Sequence, residues 1–356
     1  MQSPPEGESM YGSHGGRGHR GARARLVAGT AVAGSALLLA GCSSSGDSDD
    51  DAGKPQEKQR PKSEAPYWVN PEGKAAQQAA EYREDDDGAN AKLIERIASQ
   101  PMAEWVRPED AKAQTEQLTK AAEKADRSAL LVVYNIPHRD CGQYSQGGAG
   151  DADEYREFVD AVAEGIGDRE ATVVVEPDAL PHLLADGCTP QKFHDERYAL
   201  LKEAVTTLKA KPKTKVYLDA GNPLWVRDPG GLVEPLQRAG IGEADGFALN
   251  VSNYQTTASN KAYGKKLSAM IDNKPFVIDT SRNGNGPVKG AEDEESWCNP
   301  DGRALGEEPT TRTGDDLVDA YLWIKRPGES DGECKGGPKA GAWWPKYALE
   351  LARNAG

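Results

Sequence analysis

The sequence predicts an α/β protein built on a single parallel sheet or barrel, and three observations carry that prediction. Short apolar runs rich in β-branched residues recur from about residue 90 onward, segments of helical period separate them, and polar residues follow each run. Strands buried on both faces read as continuous apolar stretches, which marks a parallel sheet. The length of 356 residues, with no internal repeat, fits one large barrel domain with polar ends better than two lobes.

In chain order the runs are Ala129–Tyr134, Ala171–Val175, Lys215–Asp219, Gly246–Leu249, Pro275–Asp279 and Ala320–Ile324. Between the first two, residues 153–166 place Tyr155, Phe158, Val159, Val162 and Ile166 on one helical face, as a crossover helix requires. Polar residues follow every run. Asn135 to Asp140 come after the first and Glu176 to Asp178 after the second. The third ends in Asp219, the fourth leads to Asn250 and Asn253, the fifth to Asp279 and Arg282, and the sixth to Lys325, Glu329 and Asp331. In parallel α/β folds the carboxyl ends of the strands face the ligand site, so these side chains are expected to converge in one cleft. Taken alone, any one Asp reads equally well as a helix cap or an Asx turn. Their recurrence after all six runs favours the cleft.

The amino-terminal part is of another kind. Arg17, Arg20, Arg23 and Arg25 stand directly before the only long apolar stretch, Leu26–Ala40, in the order of a secretion signal. That stretch falls short of the roughly 20 residues a transmembrane helix needs. It ends in Leu39-Ala40-Gly41-Cys42, which resembles the lipobox of bacterial lipoproteins, and Cys42 is the expected lipidation site. Residues 1–41 are therefore expected to be a signal peptide, 42–66 a lipidated Cys and disordered polar linker, and 67–356 the functional domain. The linker is almost free of apolar side chains and cannot offset its ordering entropy. Asp47, Asp49, Asp50 and Asp51 lack the glycine and bidentate Glu of a calcium loop, so they read as a solvated acidic stretch.

The formal charge is -14 and becomes -16 once four Arg and two Glu leave with the signal. Such a chain repels phosphate backbones, so no nucleic-acid partner is expected. Beyond Cys42 four cysteines remain, Cys141, Cys188, Cys298 and Cys334, with neither a CxxC nor a zinc spacing. An even set in an oxidising compartment points to two disulfides, and sequence alone permits three pairings. The local one, Cys141–Cys188 with Cys298–Cys334, would contribute roughly 4 kcal/mol per bridge in the loop-entropy model.

His138, His182 and His194 lack metal-ligand spacing, and neither a GxSxG elbow nor a P-loop is present. No metal or cofactor is expected. Carboxylate-driven glycoside hydrolysis is the remaining chemistry, because one acid protonates a leaving oxygen while a second group helps deliver water. Seven Trp against four Phe also favour sugar, since flat indoles stack on pyranose faces, although Trp323 inside an apolar run reads as core.

The residues also resemble a known family. The stretches Val132–Gly142 (VVYNIPHRDCG) and Val173–Pro181 (VVVEPDALP) closely resemble the two signatures of glycoside hydrolase family 6, the inverting cellulases. Leu218–Gly221, Ser252–Tyr254, Asp279–Gly284, Trp297–Pro300 and Trp323–Gly332 match in the same order. The resemblance spans residue 65 or so to the C-terminus. It implies a distorted parallel (β/α) barrel in a single domain that hydrolyses β-1,4-glucosidic bonds with inversion. It further implies Asp178 as general acid, Asp140 as the carboxylate that keeps Asp178 protonated and joins the water network, and Asp331 at the position of the proposed base. Tyr134 would crowd the sugar before the scissile bond. Asp219, Asn222, Asn253, Lys325 and Glu329 would contact sugar, and Trp105, Trp225 and Trp297 occupy stacking positions.

Two positions depart from the family pattern. Gln146 stands where a small residue, usually Ser, helps seat the attacking water, with Ser145 beside it, and Asn222 stands where His is common. Neither change removes a carboxylate, so an active enzyme with altered rate or preference is expected. The stretch from Lys325 to Trp343 is too short to roof the cleft, which favours internal cleavage. The expectation is a monomeric endo-β-1,4-glucanase acting on β-1,4-glucan or cello-oligosaccharide. It would be held at the outer face of the cell membrane only by its lipid, or be secreted. Gln146 keeps open a weakly active or non-catalytic glucan-binding lipoprotein, which would bind cello-oligosaccharides without turnover. A solute-binding lipoprotein is a third reading, and the single-barrel pattern opposes it.

Overall fold

The computed structural model describes residues 65–185, 188–290 and 296–356. The expected signal peptide, Cys42 and most of the expected linker lie outside the described residues. Ala65 is buried and the Pro66 carbonyl accepts the Ser128 N–H (2.9 Å), so ordered structure reaches slightly before Tyr67.

Seven parallel strands form one sheet in chain order: β1 (Glu104–Trp105), β2 (Ala129–Val133), β3 (Ala171–Val175), β4 (Thr214–Asp219), β5 (Gly246–Leu249), β6 (Phe276–Asp279) and β7 (Val318–Leu322). The first five expected runs are β2 to β6 with ends moved by no more than one residue. The sixth, β7, starts and ends two residues earlier than expected. Strand β1 was not expected, because two residues carry no periodicity.

The helices among the described residues are α1 (Lys74–Glu84), α2 (Gly88–Ala98), α3 (Ala111–Lys124), α4 (Ala152–Ile166), α5 (Pro181–Leu184), α6 (His194–Lys209), α7 (Val233–Arg238), α8 (Thr257–Met270) and α9 (Pro345–Asn354). The start of α4 is set by Asp151, whose carboxylate accepts the Asp153 and Glu154 N–H groups. All five of its expected apolar residues are buried.

Alternation along the strands divides the core. Leu130, Val132, Val174, Tyr217, Ala248, Val277, Ala320 and Leu322 share the barrel interior. Their neighbours Leu131, Val133, Val173, Val175, Val216, Leu218, Phe247, Leu249, Phe276 and Ile278 face the helices. Both faces are therefore apolar, and the runs in the sequence show no polar alternation. The Tyr217 hydroxyl donates to Asp319 Oδ2 (2.6 Å), joining β4 to the non-neighbouring β7.

Strands β1 and β7 share no ladder, so the sheet curls into a distorted barrel with a seam. Hydrogen bonds cross that seam from the Ala103 N–H to the Trp323 carbonyl (2.9 Å), from Trp105 Nε1 to the Ile324 carbonyl (3.0 Å) and from Arg326 Nη1 to Glu104 Oε2 (3.1 Å). Trp323 lies just past β7, almost fully buried in a cluster with α1, α2 and α9, which is the core role expected for it.

Candidate active site

The carboxyl ends of the strands carry two kinds of acidic side chain. The first kind laces neighbouring loops together. Glu176, just past β3, accepts the N–H groups of Asn135 (2.9 Å) and Ile136 (3.0 Å) from the loop after β2. Asp219, the last residue of β4, accepts the Asp178 N–H (2.9 Å) and the Gly221 N–H (3.2 Å). Asp279, ending β6, accepts from Ser252, Ser281 and Lys325, each at 3.0 Å, and so joins the loops after β5 and β7. All three are buried. A backbone N–H in a buried loop must find an acceptor, and these carboxylates supply it across the strand boundary.

Asp219, expected to hold sugar hydroxyls, is 1% exposed and is not among the residues that line the cleft, and its Oδ1 has no hydrogen-bond partner among the described residues. Its Oδ2 is engaged by the turn that carries Asp178, so it positions that residue from beneath.

The second kind opens on a cleft of about 710 Å³. The other expected catalytic and sugar-contact residues line it: Trp105 and Tyr134 at one end, Asp140 and Asp178 on one wall, Asn222 and Trp225 after β4, Asn253 after β5, and Trp297, Lys325, Glu329 and Asp331 opposite. Asp140, Glu176, Asp178, Asn250 and Ser252 all have φ between 49° and 70°. Non-glycine residues rarely adopt this left-handed region, and its concentration here shows backbone strain gathered at the site.

On the β2–β3 wall, Asp140 accepts the Ser145 N–H through Oδ2 (2.6 Å). Arg139 folds the same loop by donating to the Ser145 carbonyl (2.9 Å) and stacking over the Tyr134 ring at 4.6 Å. Gln146 is exposed and lines the cleft, and Ser145 is half-buried beside it. Burial raises the Asp140 carboxyl above its usual range, against the lowering effect of the Ser145 N–H and Arg139. Asp178 is raised well above its usual range by burial, then by the charges of Asp219 and Asp140. Burial also raises Asp219 and Glu176, each to about 7.

The opposite wall works the other way. Asp331 Oδ2 accepts from Arg282 Nη1 (2.8 Å), the Tyr254 hydroxyl (3.0 Å) and the Asn299 N–H (3.0 Å), and Lys325 Nζ stands 3.5 Å from Oδ1. Burial alone would raise Asp331, but Arg282 and Lys325 outweigh it and hold the carboxyl below its usual value. Lys325 also donates to the Ser330 carbonyl (3.1 Å), and Glu329 pairs with Arg326 (2.8 Å).

Disulfides pin both walls. Cys141–Cys188 ties the Asp140 loop to the segment after α5, and Cys298–Cys334 ties the Trp297 loop to the segment after Asp331. Cys141, His182 and Cys188 bring donor atoms within 4.8 Å of one another, but the two sulfurs are bonded together and leave the imidazole as the one donor able to bind a metal.

Several residues of the site were not singled out from sequence. Arg197 of α6 is buried and donates to the carbonyls of Pro137 (3.0 Å), His138 (2.9 Å) and Ala179 (3.2 Å), bracing both signature loops. Tyr144 lines the cleft beside Trp297, with ring centroids 6.1 Å apart. His182 lines it beside Trp225. A usable signal existed for His182, since it lies four residues after Asp178 and so one helical turn away. None existed for Arg197, whose spacing looks like any helix surface.

Fold and site together define a parallel α/β barrel with an acidic, indole-lined cleft at the carboxyl ends of its strands. The chain belongs to the glycosyl hydrolases family 6, whose family model matches residues 62–355. Endoglucanase A of Cellulomonas fimi is 46% identical over 297 residues, covering 81% of this chain and 61% of that protein. Endoglucanase 1 of Streptomyces halstedii is 39% identical, covering 80% and 88% respectively. The chain thus spans about three fifths of the Cellulomonas relative's length. Among solved structures, the endoglucanase Cel6 from Mycobacterium tuberculosis, in complex with a methyl-cellobiosyl-4-deoxy-4-thio-β-D-cellobioside, superposes with a TM-score of 0.76 at 41% identity. That match covers 83% of this chain and 99% of the other.

Proposed function

We propose that the protein is an endo-β-1,4-glucanase that cleaves internal bonds of β-1,4-glucan with inversion, Asp178 acting as general acid. The observation that carries this reading is the opposed electrostatics of the two walls. Asp178 keeps its proton because burial and two neighbouring carboxylates disfavour its charge, so it can protonate the leaving oxygen. Asp331 stays ionised and faces the same cleft, supporting the positive charge that develops on the sugar ring and orienting water. Three donors already occupy Asp331 Oδ2, so a proton from water is better received through Oδ1.

Internal cleavage is supported by the segment after Glu329. It folds back on itself, with Glu329 bridging to Trp343 and the Ser330 N–H donating to the Ala342 carbonyl (2.9 Å). A segment closed this tightly has no length left for a roof. The names of the endoglucanase relatives agree.

The protein would act as a monomer, without cofactor, tethered at the outer membrane face through lipidated Cys42 or released from it. Among the described residues no helix is long and apolar enough to cross a membrane. The reading is tested on purified protein with cellohexaose, following products and their anomers by NMR. Cellotriose, together with the pair cellotetraose and cellobiose, is expected, with new α-anomeric ends. A β-anomeric product, or cellobiose and cellotetraose with no cellotriose, overturns it. Gln146 at the cleft surface favours one second reading, a glucan-binding protein of low turnover, which the same experiment shows as binding without products.

A further inference from the structure

We propose that His182 is a sugar-binding residue that hydrogen-bonds a glucan hydroxyl at the Trp225 end of the cleft and so helps set where the chain is cut. The inference rests on the glucanase reading above and adds a specificity determinant to it. His182 sits on α5, and its N–H donates to the Asp178 carbonyl (2.9 Å), so the general acid and the imidazole share one turn of backbone. Its ring meets the Trp225 indole edge-on, centroids 5.0 Å apart at 66°. Both side chains line the cleft, yet Trp225 is 37% exposed while His182 is 8% exposed. The imidazole is therefore set deeper than the indole in the same part of the cleft.

Both ring nitrogens of His182 lack a hydrogen-bond partner among the described residues. Its polar neighbours do not supply one. The sulfurs of Cys141 and Cys188 lie within 4.8 Å but are bonded to each other. A buried polar ring without a protein partner needs water or a ligand. Burial, assisted by the Arg197 charge, lowers the imidazole to about 4, so it is neutral over the working range. A neutral imidazole offers one donor and one acceptor, which matches sugar hydroxyls that do both.

The test compares His182→Phe, which keeps a ring against Trp225 and removes both nitrogens, with His182→Gln, which keeps a donor and an acceptor. For cellohexaose the Phe variant is expected to raise KM about tenfold with kcat within about twofold, and to shift the position of cleavage. The Gln variant is expected to stay within about threefold of wild type in KM. Wild-type KM and product pattern in the Phe variant overturn the proposal, as does an equal loss in both variants, which would mean that packing alone matters. If wild-type protein fails to hydrolyse cellohexaose, the glucanase reading falls. Calorimetry with the same sugar then decides on His182, since equal affinity of wild type and His182→Phe, or no binding by wild type, overturns it.

Discussion

The two walls of the cleft treat the same chemical group in opposite ways. On the β2–β3 wall, burial pushes up both Asp140 and Asp178, and the charges of Asp219 and Asp140 push Asp178 further, whereas Arg139 and the Ser145 N–H oppose the rise of Asp140. On the opposite wall, Asp331 lies among Arg282, Lys325, Tyr254 and the Asn299 N–H, and its carboxyl is held down. Burial is common to both, so burial does not assign the roles. For Asp178 and Asp331 the sign of the nearest charges does. One barrel mouth thereby holds an acid and an anion together at one pH, as carboxylate pairs in glycoside hydrolysis require.

The comparison breaks most visibly at its acid. Asp178→Ala removes the proton donor and is expected to lower kcat on soluble β-glucan by about 10²–10⁴-fold, with folding intact. Activity equal to wild type would detach Asp178 from the chemistry. On the opposite wall, Arg282→Met leaves the buried Asp331 charge with Lys325 as its remaining cation and is expected to cost up to about 3 kcal/mol of stability in denaturant unfolding. Adding Asp331→Asn to Arg282→Met removes that carboxylate but leaves Lys325 without its partner, so it should recover part of the loss while leaving the protein inactive. A double variant no more stable than the single would mean that Arg282 acts by packing.

The walls also predict opposed pH limbs in stability. Glu176 and Asp219 are raised in the folded state, so from pH ~4 to ~7 the folded protein holds protons that the unfolded chain has lost. Stability then falls as pH rises, by up to roughly 1.4 kcal/mol per pH unit for each group. Asp331 is lowered, so its contribution is present above the unfolded value near 4 and is lost as pH falls through its folded value. Glu176→Gln, an uncharged stand-in for the protonated acid, should flatten the decline of Tm between pH 5 and pH 7. An unchanged slope would place the linkage elsewhere.

Much of this was readable before the structure. Runs such as Ala171–Val175 announce strands because both faces are buried, and the loops that follow the runs supply the cleft residues Asp140, Asp178, Asn253 and Asp331. What could not be read is which way a strand-end carboxylate turns. Asp219 and Asp178 look alike in sequence, yet one turns into the neighbouring loop and the other into the cleft, because unsatisfied loop amides claim the first. Arg197 was hidden as a brace, and Arg282, though marked by its place after the fifth run, gave no sign of its partner. Their partners lie as far as 60 and 49 residues away, beyond any local pattern.

The subtlest test separates two jobs that Asp140 could do. If it acts through charge, its carboxylate raises Asp178 and holds the alkaline limb of kcat/KM at higher pH. Asp140→Asn then lowers the Asp178 pKa, moves that limb toward lower pH and costs at most about tenfold near neutrality. At low pH wild-type Asp140 is itself protonated, since its own carboxyl is raised, and the amide resembles that state. The loss should therefore shrink as pH falls. If Asp140 instead seats the attacking water through the loop that its Oδ2 organises at Ser145, the amide loses that contact at every pH. A pH-independent loss would assign Asp140 to water, and a loss that grows with pH would assign it to the electrostatics of its wall.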